Sequence, residues 1–482
     1  MQAAMKSLHL LLAVMLLLGL SACYKDKGNY TYHNINDIAI ETSDTITTTY
    51  GDTLHITPIL HQQFSDDESP LSFEWSVLVG TSNLDSTYQL LSTTRNLNMP
   101  ITVPSQSDYY ALFYRVHNSA TDITYTKIIR MAVTTNYQTG WLALEQSGAQ
   151  DDISFINTVQ NKVYHHTYSH ANPGNPMPAS ATGVYNLDIP AFQSSNGTVH
   201  KSSFTAALFA NGGYVLDVKS MKADVDYTQL FMNAPQPVAP SFLGLDLNAE
   251  MTTINNGHLY RRVMSKENTF DNAYTMADSS DYQLAPMNAN TSNSTTLYFD
   301  VLHHRFLKEV YKTRLLNKFT PQTWYSFDPS NVPEQPLALG IGYYKYYQYG
   351  VFKVPDMDSC ILYSYSQGTP LKRTVMHNSP GVASSQAFVF STIRYQLYYG
   401  AANFLYLYDI QANSAAPVYT FAAGETITAM MANGTTGMEV ATYNGSQGFV
   451  YSFAFTSTGE IDDTQTTRYE GFDKIISLSY KK

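Results

Sequence analysis

The sequence predicts an all-β protein, with a two-sheet sandwich near the N-terminus followed by a β-propeller of about seven blades. Three observations predict it. Short alternating runs separated by turn signals fill residues 38–135. Hairpin signals then recur about every 44–55 residues through 137–482, close to the period of propeller blades. Tyrosine, which favours pleated and half-buried strands, occurs 38 times, and aromatic residues make up 13% of the chain.

The first element is a leader. Lys6 precedes an apolar run from Leu8 to Leu18 that only His9 interrupts, and Leu20-Ser21-Ala22-Cys23 follows. The run is short for a membrane span, and the small residues before the cysteine suit a signal peptidase. Leader and box together resemble a bacterial lipobox, which implies that Cys23 is acylated and becomes the mature N-terminus. Residues 1–22 are then the signal peptide and 23–36, polar and turn-rich, the tether. Lys25-Asp26-Lys27 resembles the short charged signals that send some Bacteroidetes lipoproteins to the outer face of the outer membrane.

The sandwich is expected over 37–135. Its candidate strands are 38–41, 53–59, 72–79, 88–91, 109–117 and 124–133, with turns at 47–52 and 65–70. Alternation places Phe73, Trp75 and Val77 on one face, as in a core strand with a central tryptophan. It likewise groups Tyr110, Leu112, Tyr114 and Val116, with Tyr110 where a tyrosine corner of an immunoglobulin-like sandwich would stand.

A family resemblance rests on four short stretches in order. They are Cys-Tyr-Lys-Asp-Lys-Gly-Asn-Tyr-Thr-Tyr-His from Cys23, Tyr-Gly-Asp-Thr-Leu at 50–54, the Glu74-Trp75 strand, and Gly140-Trp141-Leu142. Together they resemble the PKD-like family lipoproteins of Bacteroidetes. The resemblance implies an Ig/PKD-like sandwich and an association with SusC/SusD-like outer-membrane uptake systems.

The propeller is expected over 137–482. Asn211-Gly212 and Asn256-Gly257, 45 residues apart, each stand between alternating runs, the strongest short hairpin signal. Further hairpins are expected at 153–164, 297–307, 398–408 and 440–451. The copy due between 303 and 402 is blurred, and either 337–354 or 351–365 fills it. A blade cannot bury both its faces alone, so stacking around an axis is favoured over a pair of sandwiches.

Composition excludes several classes. The net charge is −11 and only 14% of residues are charged, with no basic cluster after Lys6, so nucleic acid is not an expected partner. No second apolar run approaches membrane-spanning length. With Cys23 acylated, Cys360 has no intramolecular partner and is read as a small buried hydrophobe.

No catalytic signature stands out: no Gly-x-Ser-x-Gly, His-Glu-x-x-His, Walker loop or Cys-x-x-Cys. No cofactor or metal is expected. In a strand, His166, Tyr168 and His170 would share a face, but no carboxylate or cysteine partner lies near them in sequence. Asp151-Asp152, Asp278 with Asp281, Asp356 with Asp358, and Asp462-Asp463 read as turn-forming loop carboxylates that lack a calcium-loop pattern.

The ligand candidates are aromatic. Over 342–350, a strand would put Tyr343, Lys345, Tyr347 and Tyr349 on one face and Tyr344, Tyr346 and Gln348 on the other. Trp324 and Tyr325 form a second candidate cluster. The expected function is a non-catalytic, lipid-anchored and surface-exposed outer-membrane module that captures a glycan or peptide for a SusC/SusD-like importer. A propeller-borne glycosidase or lyase, and a structural docking subunit, are the alternatives.

Overall fold

The structure is a computed structural model that describes residues 35–79, 87–103, 109–187, 191–193, 199–201, 204–245, 251–262, 274–276, 281–291, 295–310 and 315–481. The leader, Cys23 and the tether up to residue 34 lie outside the described residues. The chain divides into two compact units, Met1–Val133 and Thr134–Lys482. No helix among the described residues is long and apolar enough to cross a membrane.

In the first unit a five-stranded sheet runs in the order Thr45–Thr49, Ile123–Thr134, Tyr110–Asn118, Leu71–Leu78, Tyr88–Ser92. Two strand pairs accompany it, Ile38–Glu41 with Ile59–Gln62 and Thr53–Ile56 with Leu97–Pro100. Ile38, Ile56 and Leu97 from the pairs share one core with Trp75, Leu112, Tyr114 and Ile129 from the sheet. Trp75 is fully buried, its ring stacks on Tyr114 at 4.2 Å, and its Nε1 donates to the Thr94 carbonyl at 3.1 Å. Tyr110, Leu112, Tyr114 and Val116 all face that core.

Two expectations here need correction. The single strand expected over 53–59 is two, because Pro58 has no N–H to donate, and the chain crosses from one pair to the other there. Residues 45–49, expected partly as a turn, form an edge strand: four β-branched threonines and an isoleucine suit a pleat even without an apolar alternation.

The second unit contains, among the described residues, seven four-stranded antiparallel sheets. The second to seventh follow the chain, each built from four strands in sequence order. The second begins at Ala181–Leu187, the third at Pro240–Leu245, the fourth at Ala289–Thr291, the fifth at Gln335–Ile341, the sixth at Phe388–Phe390 and the seventh at Thr426–Asn433. The first sheet differs. Its members are Gly140–Gln146, Asp151–Asn157 and Lys162–Tyr164, and its edge next to Gly140–Gln146 is filled by Lys474–Lys481 from the end of the chain.

Each sheet packs on the next through its own apolar cluster. Phe155 of the first meets Val184 of the second, Leu208 meets Leu243, and Ile254 meets Tyr298. Phe299 then meets Phe352, Val351 meets Leu397, and Leu405 meets Val440. The seventh sheet returns to the first, with Ala441 and Val450 against Trp141, Ile475 and Leu478. Both faces of each sheet are thereby covered, which is why strands such as Phe204–Phe209 and Thr295–Asp300 are buried at every residue.

The hairpins expected at 297–307, 398–408 and 440–451 join second and third strands of their sheets. Asn256 and Gly257 form a turn with φ of 48° and 73°, as an Asn-Gly hairpin requires. At Asn211-Gly212 the turn is instead Ala210-Asn211, and Gly212 already pairs with Phe209. The blurred copy is the fifth sheet, to which both candidate stretches contribute. The hairpin at 153–164 joins third and fourth strands, one hairpin out of phase with the others, because the first sheet takes its inner strand from the far end of the chain.

Candidate functional site

The tyrosine-rich stretch is a hairpin tip and not the continuous strand expected. Strand Gln335–Ile341 ends at Gly342, residues 343–345 make one 3₁₀ turn, and strand Tyr347–Lys353 returns. Tyr344 and Lys345 both have left-handed backbones, with φ of 53° and 58°. That pair of positive angles suits a tight hairpin, but Asn and Gly normally supply it, and side chains such as these resist it. Gly342 is required locally, because a Cβ there would lie 2.2 Å from the Tyr349 ring.

The turn divides the tyrosines by role. Tyr344 is 65% exposed and Tyr346 54%, whereas Tyr349 is 2% exposed and stacks against Phe390 of the sixth sheet at 6.0 Å. Tyr349 is therefore packing, out of a ligand's reach. Tyr343 and Tyr347 lie between these extremes and join the two ends. Tyr343 touches Tyr344 at 4.1 Å between ring centroids, and Tyr347 stacks over Tyr349 at 6.3 Å.

A residue outside the expected set completes the cluster. Tyr395 lies in the turn between the first two strands of the sixth sheet, the position that Tyr343–Tyr346 occupy in the fifth. Its ring meets Tyr343 at 4.3 Å and Tyr347 at 5.3 Å. The Tyr344 N–H donates to the Thr392 carbonyl at 3.0 Å, locking one tip to the other. Hydrogen bonding to Tyr347 pushes the Tyr395 hydroxyl up to about 12, and bonding to Tyr344 raises that of Tyr343. These phenols stay neutral at physiological pH. Arg394, beside Tyr395, is exposed, and its Nε donates to the Thr458 carbonyl at 2.7 Å. Aligning the two turns by their place in the repeat would have flagged Arg394 and Tyr395 from sequence; inspecting runs of tyrosine did not.

The structure does not bring Trp324 and Tyr325 to this cluster. They occupy the segment that leads into the fifth sheet, with their rings 4.5 Å apart. The neighbouring Ser326 hydroxyl donates to Leu371 on that sheet's last strand, and Phe327 packs on Tyr363. Trp324 is 65% exposed, while Tyr325 is half-buried against the core between the fourth and fifth sheets. An open cleft of about 410 Å³ lies at the other end of strand Gln335–Ile341 from the tyrosine tip, lined by Gln335, Lys353, Asp356, Met357, Asp358 and Ser384.

The histidine and acidic candidates take other positions. His166 is not in a strand: it precedes the short helix Thr167–Ala171 in a left-handed conformation, 3.6 Å from Asp152, so His166, Tyr168 and His170 do not share a strand face. A left-handed residue after Tyr164 ends the pleat. Asp151 and Asp152 are buried strand residues and not loop carboxylates; Asp151 accepts the Ala181 N–H at 2.8 Å and Asp152 that of Ser169 at 3.2 Å. Asp356 and Asp358 do lie in a turn, Asp462 opens a strand, and Asp278 lies outside the described residues. Cys360 is buried, and burial pushes its thiol up to about 12.

Two sheets repeat one device. Glu334, just before the fifth sheet's first strand, accepts from Tyr363 at 2.8 Å and Arg373 at 2.6 Å. Glu425, just before the seventh sheet's first strand, accepts from Tyr451 at 3.0 Å and faces Arg468 at 3.8 Å. Each set ties first, third and fourth strands of one sheet together, so these carboxylates are occupied. Arg261 and Glu309 pair at 2.9 Å between the third and fourth sheets, both almost fully buried. Burial raises Glu439 to about 8 and Glu145 to about 7. Shifts of that size also occur in general acids, but both carboxyls are enclosed between sheets, out of a substrate's reach.

The profile of the PKD-like family matches residues 23–180, the first unit and the opening of the second. No curated protein sequence matches the chain. Among solved structures, the chain is similar to a quinonprotein alcohol dehydrogenase-like protein from Bacteroides thetaiotaomicron, at 14% identity and a TM-score of 0.45, over 91% of this chain and 97% of that one. It is also similar to a protein from Lactobacillus plantarum at 10% identity and a TM-score of 0.47, over 72% of this chain and all of that one. At these identities no activity passes from either protein to this one.

Proposed function

We propose that this protein is a lipid-anchored, surface-exposed outer-membrane module that binds a nutrient-derived ligand and does not cleave it. In this reading Cys23 carries the acyl anchor and the PKD-like unit is a spacer. The seven sheets are the blades of a closed propeller, and an uptake system of the SusC/SusD-like type is the partner. The observation that carries the binding reading is the tyrosine tip: exposed aromatic rings on a backbone turn that their residue types do not favour, locked to a second turn of the neighbouring sheet. Strain held at an exposed aromatic cluster points to a use other than packing. The absence of a catalytic motif in the sequence, and the engagement of Glu334, Glu425 and Glu309 in internal pairs, support a binding role.

The test has two arms. Cys23→Ala should move the protein out of the membrane fraction; wild-type protein that stays in the membrane without acyl modification would refute the anchor. Purified soluble protein, incubated with glycans and peptides from the growth medium, should retain a ligand and return it unaltered. Turnover above background, abolished by replacing an Asp, Glu or His, would replace binding with catalysis.

A further inference from the structure

We infer that the paired hairpin tips of the fifth and sixth sheets form a binding face for an acidic oligosaccharide, one that carries uronic acid residues. The inference rests on the binding reading above and adds the ligand class. It starts from ring geometry. Tyr343 lies 4.1 Å from Tyr344 and 4.3 Å from Tyr395, so these rings touch and leave no cage between them. An aromatic cage for a cationic ligand needs rings set around an open centre. The Tyr343 ring lies between those of Tyr344 and Tyr395, tilted 40° and 49° to them, so the ring surface open to a ligand is chiefly that of exposed Tyr344, which matches the apolar face of a pyranose ring. The phenol hydroxyls at its edge, neutral at physiological pH as phenols ordinarily are, can exchange hydrogen bonds with sugar oxygens.

Charge selects among sugars. The chain carries 39 acidic and 28 basic residues, yet the two turns present Lys345 and Arg394 beside these rings. Both are exposed, and neither joins an ion pair among the described residues; in this Arg394 differs from Arg95, Arg115, Arg261, Arg305, Arg373 and Arg468, while Lys345 is like most of the lysines. Arg394 is anchored by the bond from its Nε to the Thr458 carbonyl, and Lys345 extends from a turn whose backbone is fixed by its own N–H bond to the Gly342 carbonyl at 2.8 Å. Two cations on the turns that carry the stacking surface suit a ligand with carboxylates attached to pyranose rings, and they disfavour a cationic peptide.

The test uses a galacturonate oligomer, a neutral maltooligosaccharide of the same length and an acidic peptide, titrated calorimetrically into the soluble protein. The galacturonate oligomer should bind, and less tightly as salt is raised. Arg394→Gln and Lys345→Asn should each weaken it about tenfold or more without lowering the thermal midpoint, which Lys345→Asn should if anything raise because Asn tolerates the left-handed turn. Tyr344→Asn keeps a residue that tolerates the left-handed turn but removes the ring, and should abolish binding. Three outcomes overturn the inference: the neutral oligomer binds as tightly as the acidic one, the peptide binds and neither sugar does, or the charge variants bind the galacturonate oligomer as the wild type does. The first two leave the binding reading standing. Failure of all three probes, together with no ligand retained from the growth medium, removes both.

Discussion

Glu439 sits in the second strand of the seventh sheet, 4% exposed, with its carboxyl accepting from Ser452 Oγ at 2.8 Å and bonded to Trp141 of the first sheet. A carboxylate in a strand ordinarily faces water, but a sheet between two others has no solvent face, and every residue of Gly437–Tyr443 except the last is buried. Desolvation raises the carboxyl from 4.5 to about 8. Between those values the folded chain keeps a proton that the unfolded chain releases. The stabilisation is therefore complete below about pH 4.5 and declines as pH rises toward 8, by up to about 1.4 kcal/mol per pH unit. Glu145, raised to about 7, acts with the same sign. Lys481, lowered to about 7 by burial, acts with the opposite sign between there and 10.5. Urea unfolding at about pH 5 and 6.5 falls inside the carboxyl window; His165, lowered by burial, acts there with the opposite sign, so the comparison of wild type with Glu439→Gln carries the test. The wild type should be more stable at the lower pH, and Glu439→Gln should shrink the difference; an unchanged difference would show that Glu439 is ionised in the fold.

At the scale of single elements, local pattern and tertiary context separate most clearly in the tip at 342–346. The run of tyrosines is β-favouring, which is why a continuous strand was the expectation. The turn is placed there by Gly342, which alone can sit against the Tyr349 ring, and by the length of the paired strands on either side. The alternation in 110–116 was legible because one face of that strand meets a core and the other does not, so period two survives in the sequence. The tyrosine clusters were legible as aromatic surplus, but their division into exposed Tyr344 and Tyr346 and buried Tyr349 was not, because it depends on where the turn falls. The tip carries its own prediction. Replacing Tyr344 and Lys345 by Asn and Gly supplies residues that accept positive φ without a clash, and should stabilise the fold by about 1 kcal/mol or more. The thermal midpoint of that variant should rise while its ligand binding is lost. A lower midpoint would mean that the Tyr344 side chain holds the turn and that the strain argument for function is misplaced.

For the second unit as a whole, the repeat and its stacking around an axis were legible, and the strand that closes it was not. Hairpins at a near-constant spacing report sheets that follow one another along the chain, and the second to seventh do. The first sheet breaks the rule, since its strand Lys474–Lys481 pairs with Gly140–Gln146 across more than 300 residues, in a register running from Gly140–Lys481 to Gln146–Lys474. Nothing local in either strand announces its partner. The consequence is mechanical as well as topological. Strand Lys474–Lys481 supplies Ile475 and Leu478 to the core between the seventh and first sheets, and Ser477 and Ser479 bond to Val184 and Asn186 at the head of the second. Lys481 Nζ donates to the carbonyls of Tyr137 and Val218, tying the end of the chain to the entry of the unit. A chain ending at residue 472 would expose an edge of the first sheet and leave two apolar clusters open to water. Such a truncation should abolish the cooperative unfolding transition of the second unit and make it sensitive to protease. A synthetic peptide of residues 473–482, added in excess, should restore part of both by pairing with Gly140–Gln146. A truncated chain that unfolds with the wild-type midpoint would show that the first and seventh sheets hold together without the strand, and that closure is not what stabilises the ring.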